Sequence, residues 1–153
     1  MTSMQKENKP KVTIITVCYQ SENTIADTIC SVLEQDYDQL EYIIKDGGPS
    51  DRTNEIIESY GEQFRKRGIA FSHIVEEDHG IYDAMNEATA RSSGEWILYL
   101  NSDDRFYGKD VISHNLSFFQ DKETAVIYGD SVSVYKGKQK RLIHDHSQLV
   151  NGL

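Results

Sequence analysis

The 153 residues carry 16 Lys plus Arg against 25 Asp plus Glu, a net charge of −9, with 38% hydrophobic and 10% aromatic residues. That content supports a core within the size of a single domain and excludes a disordered chain. The acidic balance excludes a nucleic acid or an anionic membrane as the main partner, because both need a basic footprint.

The polar start MTSMQKENKP has no signal-peptide apolar region, and residues 1–9 read as a flexible leader. Val12–Tyr19 (VTIITVCY) is rich in β-branched residues and almost continuously apolar, which suits a strand covered on both faces. Asn23 is a candidate cap for a helix that turns Ile25, Ile29, Val32 and Leu33 to one side. Leu40–Ile44 reads as a second strand, stopped by the turn Asp46-Gly47-Gly48-Pro49. A second helix starts at Ser50 or Asp51 and buries Ile56, Ile57, Tyr60 and Phe64; the basic run Arg65-Lys66-Arg67 is its solvated end. Ile69–Val75 is a third strand, followed by a helix with Ile81, Ala84, Met85 and Ala88 inward and Gly94 as its stop.

Glu95–Leu100 reads as the fourth and most buried strand. A fourth helix follows with Val111, Ile112, Leu116 and Phe119 inward. Ala125–Tyr135 and Lys140–Ile143 then read as strands around the turn Lys136-Gly137-Lys138. No apolar run approaches the roughly 18 residues of a membrane-spanning helix, and the expected location is cytoplasmic. Cys18 and Cys30 lack metal-ligand spacing and read as buried free thiols of a reducing compartment.

The order βαβαβαβαββ implies one α/β domain over residues 10–153, a mostly parallel Rossmann-like sheet with helices on both faces and C-terminal antiparallel strands. Ligands of such sheets bind beyond the carboxyl ends of the strands. There the sequence places Val17–Tyr19, Asp46–Asp51, Glu76–Gly80 and Asn101–Asp104, three of which carry acids. Crowded carboxylates call for a cation, and oxygen donors without His or Cys spacing favour Mg²⁺ or Mn²⁺. Such an ion bridges an acidic site to a substrate diphosphate. Neighbouring side chains of an extended segment point opposite ways, so Asp103 and Asp104 divide the work, one on metal and one on a hydroxyl. Asn101-Ser102-Asp103-Asp104 also reads as a plain polar turn, Tyr19 as a partly buried ring or a base-stacking one, and Asp51 as a helix-start residue. His79, Asp78 and Asp83 are further candidates by position, and His144-Asp145-His146 could place two rings on one strand face. Neither GxxxxGK[ST] nor GxGxxG follows the first strand.

The ordered set PKVTIITVCYQSENTIADTICSVLEQ, DGGPSDRT, DHGIYDAMNEA and GEWILYLNSDD resembles the nucleotide-sugar-binding part of a family-two, inverting glycosyltransferase with the A-type fold. The resemblance runs from about Pro10 to the end. It implies transfer of a sugar from a nucleotide-diphosphate donor, most often a uridine type, to a glycan or lipid-linked acceptor hydroxyl during polysaccharide biosynthesis. It places Val17 and Tyr19 at the base and ribose, Asp46 at the base, Asp103 at the ribose or metal, and Asp104 on Mn²⁺ or Mg²⁺. The chain departs from the pattern at Asp46-Gly47, where relatives often have two acids; at Ser102, where the metal motif often has another; and at Ala84-Met85-Asn86, where relatives often have Ala-Arg-Asn. The resemblance also puts the general base beyond residue 153, so the chain is expected to be cut before the acceptor-binding half. That half would bring any peripheral contact with the cytoplasmic membrane face, and without it exposed aromatics favour self-association. A non-catalytic nucleotide-sugar-binding module or an inactive fragment is the alternative. A nucleotidyltransferase lacks its glycine-rich basic loop here, and a receiver domain lacks its paired acids after the first strand.

Overall fold

A computed structural model describes residues 9–48, 51–117, 126 and 129–142. The expectations for residues 1–8, Pro49, Ser50, Phe119, Ile143 and the His144-Asp145-His146 run lie outside the described residues. Two units are distinguished, residues 1–114 and 115–153.

The first unit contains β1 (Val12–Cys18), α1 (Ile25–Leu33), β2 (Leu40–Asp46), α2 (Thr53–Ser59), α3 (Gly61–Arg67), β3 (Ala70–Val75), α4 (Ile81–Ala90) and β4 (Trp96–Tyr99). The strands run parallel in the order β3-β2-β1-β4. Every residue of β1 is buried, as its near-continuous apolar run requires. Alternation along the strands then assigns the helices to faces. Ile15, Val17 and Ile43 pack with Ala84 and Ala88 of α4. Tyr42 points the other way, where its ring meets Phe64 of α3 and Phe71. The expected α/β architecture with helices on both faces is therefore observed. Full burial of each large apolar side chain on these faces stabilises the unit by about 1.5–3 kcal/mol. The polar groups of β1 are matched locally: the Thr13 hydroxyl donates to Glu41 at 2.5 Å, and the Thr16 and Tyr42 hydroxyls lie 2.9 Å apart.

Several boundaries differ from the sequence reading. β1 ends at Cys18, one residue before the exposed Tyr19. The single helix expected over Asp51–Phe64 is two, joined at Tyr60. The apolar spacing survives such a break because both pieces cover the same sheet face. Asn23 is not the cap of α1; the Thr24 and Ile25 amides bond the Ser21 carbonyl instead. Gly94 does not stop a helix, since α4 ends at Ala90. Its constraint is close approach: its N–H donates to the Thr13 hydroxyl at 2.9 Å, and a Cβ there would lie 2.6 Å from the Thr13 nitrogen.

β4 is not the most buried strand: among the described residues it is a sheet edge, with Ile97 and Tyr99 exposed. Cys18 and Cys30 are free, but only Cys18 is buried; the half-buried Cys30 lies 3.6 Å from the Tyr60 hydroxyl. No helix among the described residues is long and apolar enough to cross a membrane.

α5 (Val111–Ser117) follows, and the second unit contains the antiparallel pair β5 (Ser131–Tyr135) and β6 (Lys138–Leu142). Lys136 and Gly137 both have positive φ, 48° and 73°, which matches the twist of a two-residue hairpin. β6 therefore starts at Lys138, earlier than the expected Lys140.

Candidate functional site

The parallel register brings the strand ends level: Cys18 pairs with Asp46, and Asp46 with Val75. Past that line, the Gly47 N–H donates to the Cys18 carbonyl at 3.0 Å and the Glu76 N–H to the Asp46 carbonyl at 3.1 Å. The loops after β1, β2 and β3 thus leave one sheet edge together. Tyr19 stands there 60% exposed, followed by Gln20 at a φ of 52°. Val17 lies one step below, in the core against α4.

Asp46 is 1% exposed. Its Oδ1 accepts the Gly48 N–H at 3.0 Å, while its Oδ2 is buried and accepts no hydrogen bond among the described residues. Burial pushes this carboxyl above its ordinary value, and the Gly48 N–H only partly offsets it. The Cys18 thiol beside it is driven far upward by burial and then by the Asp46 charge, so it is no nucleophile. Asp51 accepts the Thr53 N–H at 2.9 Å and the Glu22 N–H at 3.2 Å. The Thr53 hydroxyl and amide hold its carboxyl below the usual range, as suits the helix-start role.

The loop that carries Asp103 and Asp104 is fastened to the β1–α1 segment. The Ser102 and Ser21 hydroxyls lie 2.9 Å apart, the Thr28 hydroxyl donates to the Asp104 carbonyl at 2.7 Å, and the Phe106 N–H donates to the Ser31 hydroxyl at 3.1 Å. A turn bond from the Asp104 N–H to the Asn101 carbonyl, 3.0 Å, shapes the loop itself. Ser21 also donates its N–H to the Thr53 hydroxyl at 2.8 Å and its own hydroxyl to the Tyr19 carbonyl at 3.3 Å. Ser21 thus ties the loop after β4 to the segment that follows β1. Both aspartates are exposed, and their side chains have no partner among the described residues.

No group of three or more His, Cys, Asp or Glu side chains that could hold a metal occurs among the described residues. Two oxygen donors on one pinned loop do not make an all-protein cage. They do fit an ion such as Mg²⁺ or Mn²⁺, which takes one or two carboxylates and completes its shell with substrate phosphates.

Sequence reasoning missed Lys45. This side chain is fully buried on the α4 side of β2, where its ammonium donates to the Glu76 carbonyl at 2.5 Å and to Asp78 Oδ2 at 3.2 Å, with Glu87 Oε2 at 3.3 Å. The Glu87 contact is an ion pair without hydrogen-bond geometry. A lysine at the same strand parity as Ile43, directly before an acid, was the available signal. Asp78 is also tied through Oδ1, which accepts the Gly80 N–H at 3.0 Å. Asp83 accepts the His79 N–H at 2.9 Å and so closes the start of α4, while His79 itself is exposed.

The family model for glycosyl transferase family 2 matches residues 13–151. A Bacillus subtilis protein named as a teichuronic acid biosynthesis glycosyltransferase is 35% identical over 119 residues, covering 76% of this chain and 45% of its own. A PGL/p-HBAD biosynthesis glycosyltransferase of Mycobacterium tuberculosis is 30% identical, covering 67% of this chain and 39% of its own. The chain thus spans less than half the length of these curated relatives. Among solved structures, S. aureus TarS in complex with UDP-GlcNAc is 26% identical with a TM-score of 0.61, covering 71% of this chain and 30% of that one. A Pyrobaculum calidifontis mannosyltransferase in complex with GDP-Man and Mn²⁺ shares the fold at a TM-score of 0.66 and 23% identity, covering 76% of this chain and 34% of that one. With the expected fold present and the family model matched over nearly the entire length, the chain belongs to glycosyl transferase family 2.

Proposed function

We propose that this chain binds a nucleotide-diphosphate sugar, of uridine type, and serves a glycosyltransferase that moves the sugar to an acceptor hydroxyl with inversion. One observation carries the reading. The exposed carboxylates of Asp103 and Asp104, without a partner among the described residues, sit on a loop pinned to the β1–α1 segment through Ser21 and Thr28. The UDP-GlcNAc complex of TarS, on the same fold, supports the donor class.

In this reading Tyr19 offers a ring face to the base. Asp104 would hold Mn²⁺ or Mg²⁺, and Asp103 the ribose or the same ion. When bound, the ion supplies positive charge for the departing diphosphate. Ser21 and Thr28 keep the acidic loop in place, so the carboxylates need little rearrangement when the donor arrives. The acceptor hydroxyl attacks the anomeric carbon opposite the nucleotide, and a carboxylate takes its proton. We assign that base and the acceptor site, a glycan or lipid-linked hydroxyl, to the length of the relatives that this chain does not share. Membrane-face placement and a role in polysaccharide assembly belong to the same proposal.

A thermal-shift panel of nucleoside diphosphates and their sugars tests this, each with and without Mn²⁺. A ligand at about 100 times its Kd stabilises the folded state by roughly 2.7 kcal/mol. UDP or a UDP-sugar with Mn²⁺ is expected to raise the melting temperature, and a flat response to every nucleotide refutes the reading.

A further inference from the structure

Gly47 leaves a space that another residue has taken. A Cβ at this position would lie 2.9 Å from Asp78 Oδ2 and 3.5 Å from Tyr19 Cδ2. A carboxylate arriving from the segment between β3 and α4 therefore borders the same small volume as the exposed Tyr19 ring. Asp46, one residue earlier, is shut off: it is almost wholly buried, and one of its oxygens is bound to Gly48.

We propose that Asp78, rather than Asp46, is the acceptor that reads the edge of the nucleobase lying against Tyr19; this rests on the nucleotide reading above. Lys45 fixes the direction of the Asp78 carboxylate from below at 3.2 Å, and the Gly80 N–H fixes its other oxygen at 3.0 Å. Lys45 is itself fully buried and held by the Glu76 carbonyl and Glu87, so the carboxylate is anchored without side-chain freedom of its own to lose. An ionised carboxylate has about four acceptor sites, and two hydrogen bonds occupy this one among the described residues, so capacity remains for a ligand donor. Stacking on an aromatic ring combined with hydrogen bonding at the base edge is a general mode of nucleobase recognition. An acceptor-only group accepts a ring N–H, as uracil presents at N3, and repels the ring acceptor that cytosine presents there. Asp78 is thus a specificity-determining residue that selects uridine over cytidine donors, with Lys45 as its positioning residue.

Titration calorimetry with UDP and N3-methyl-UDP, both with Mn²⁺, tests this on the wild-type chain and on Asp78→Asn. A hydrogen bond to a charged group corresponds to a preference on the order of tenfold or more. The wild type is expected to favour UDP over N3-methyl-UDP by at least that factor. Asp78→Asn, with an unchanged circular dichroism spectrum, is expected to bind UDP more weakly and to bring the two ligands within about twofold. A variant that keeps the full preference overturns the proposal, because the methyl group would then be clashing elsewhere. Equal wild-type affinities overturn it as well, and that result needs no variant to fold. Wild type that binds neither ligand refutes the nucleotide reading itself, and this proposal falls with it.

Discussion

Ser21 and Ser102, separated by 81 positions in sequence, share a hydrogen bond of 2.9 Å between their hydroxyls. That bond joins the loop after β1, which carries Tyr19, to the loop after β4, which carries the two aspartates. Ser102→Ala removes it and, among the described residues, leaves the Ser21 hydroxyl its link to the Tyr19 carbonyl. The expected cost is about 1 kcal/mol in urea denaturation, with weaker Mn²⁺-dependent UDP binding. A variant with wild-type midpoint and wild-type affinity would show that the two loops are held by other means.

Lys45→Met deprives Asp78 and Glu87 of their shared cation. Breaking a buried ion pair by removing one partner costs about 3–5 kcal/mol. The low end is expected here, because the Glu87 side chain is 34% exposed and water screens it. Adding Glu87→Gln should recover part of the loss, since one uncompensated charge then disappears. Chemical denaturation of the single and double variants measures this, and additive or greater loss in the double variant contradicts the network.

Asp46 gives the stability a particular pH dependence. Its carboxyl is raised by burial, so the folded state holds this proton more tightly than the unfolded chain, whose aspartates titrate near 3.9. The burial penalty is absent below about pH 3.9 and develops as pH rises through the raised folded value. Asp46→Asn cannot ionise and lacks this component. Melting temperatures at stepped pH should show the wild type losing ground to the variant across that interval. A constant difference at all acid pH values would mean that Asp46 is not desolvated in solution.

Gly94→Ala should destabilise although it adds only one methyl group. The new Cβ would meet the Thr13 nitrogen at 2.6 Å and the Trp96 carbonyl at 2.9 Å, and neither backbone atom can swing away. A loss of about 1–3 kcal/mol is expected, with the β1–β4 pairing most affected. An unchanged melting temperature would show that the two segments separate at little cost.

These relationships were unequally visible in the sequence. β1, α1, β2, β3 and α4 follow from runs of β-branched residues and helical spacing, which depend on near neighbours alone. The C-terminal edge could be located for the same reason, so Tyr19, Asp46, Asp103 and Asp104 were singled out. The break at Tyr60 leaves no mark on the apolar spacing because Ile57 and Phe64 keep a common inward phase across it. The exposure of β4 was not legible either: an edge strand and a central one can share the composition of Trp96–Leu100. Lys45 was hidden because its three partners lie more than thirty positions downstream, and only the β2–β3 register and the α4 crossing bring them together.

The central claim is that the carboxylate of Asp104 recruits a divalent cation for a donor diphosphate. Calorimetric titration of UDP into the wild type and Asp104→Ala, with and without Mn²⁺, tests it directly. Wild-type affinity is expected to rise at least about tenfold with Mn²⁺. Asp104→Ala is expected to lose that increment while its circular dichroism spectrum and melting temperature stay near wild type, since the side chain is exposed and unpartnered. The same Mn²⁺ increment in both proteins would contradict the account.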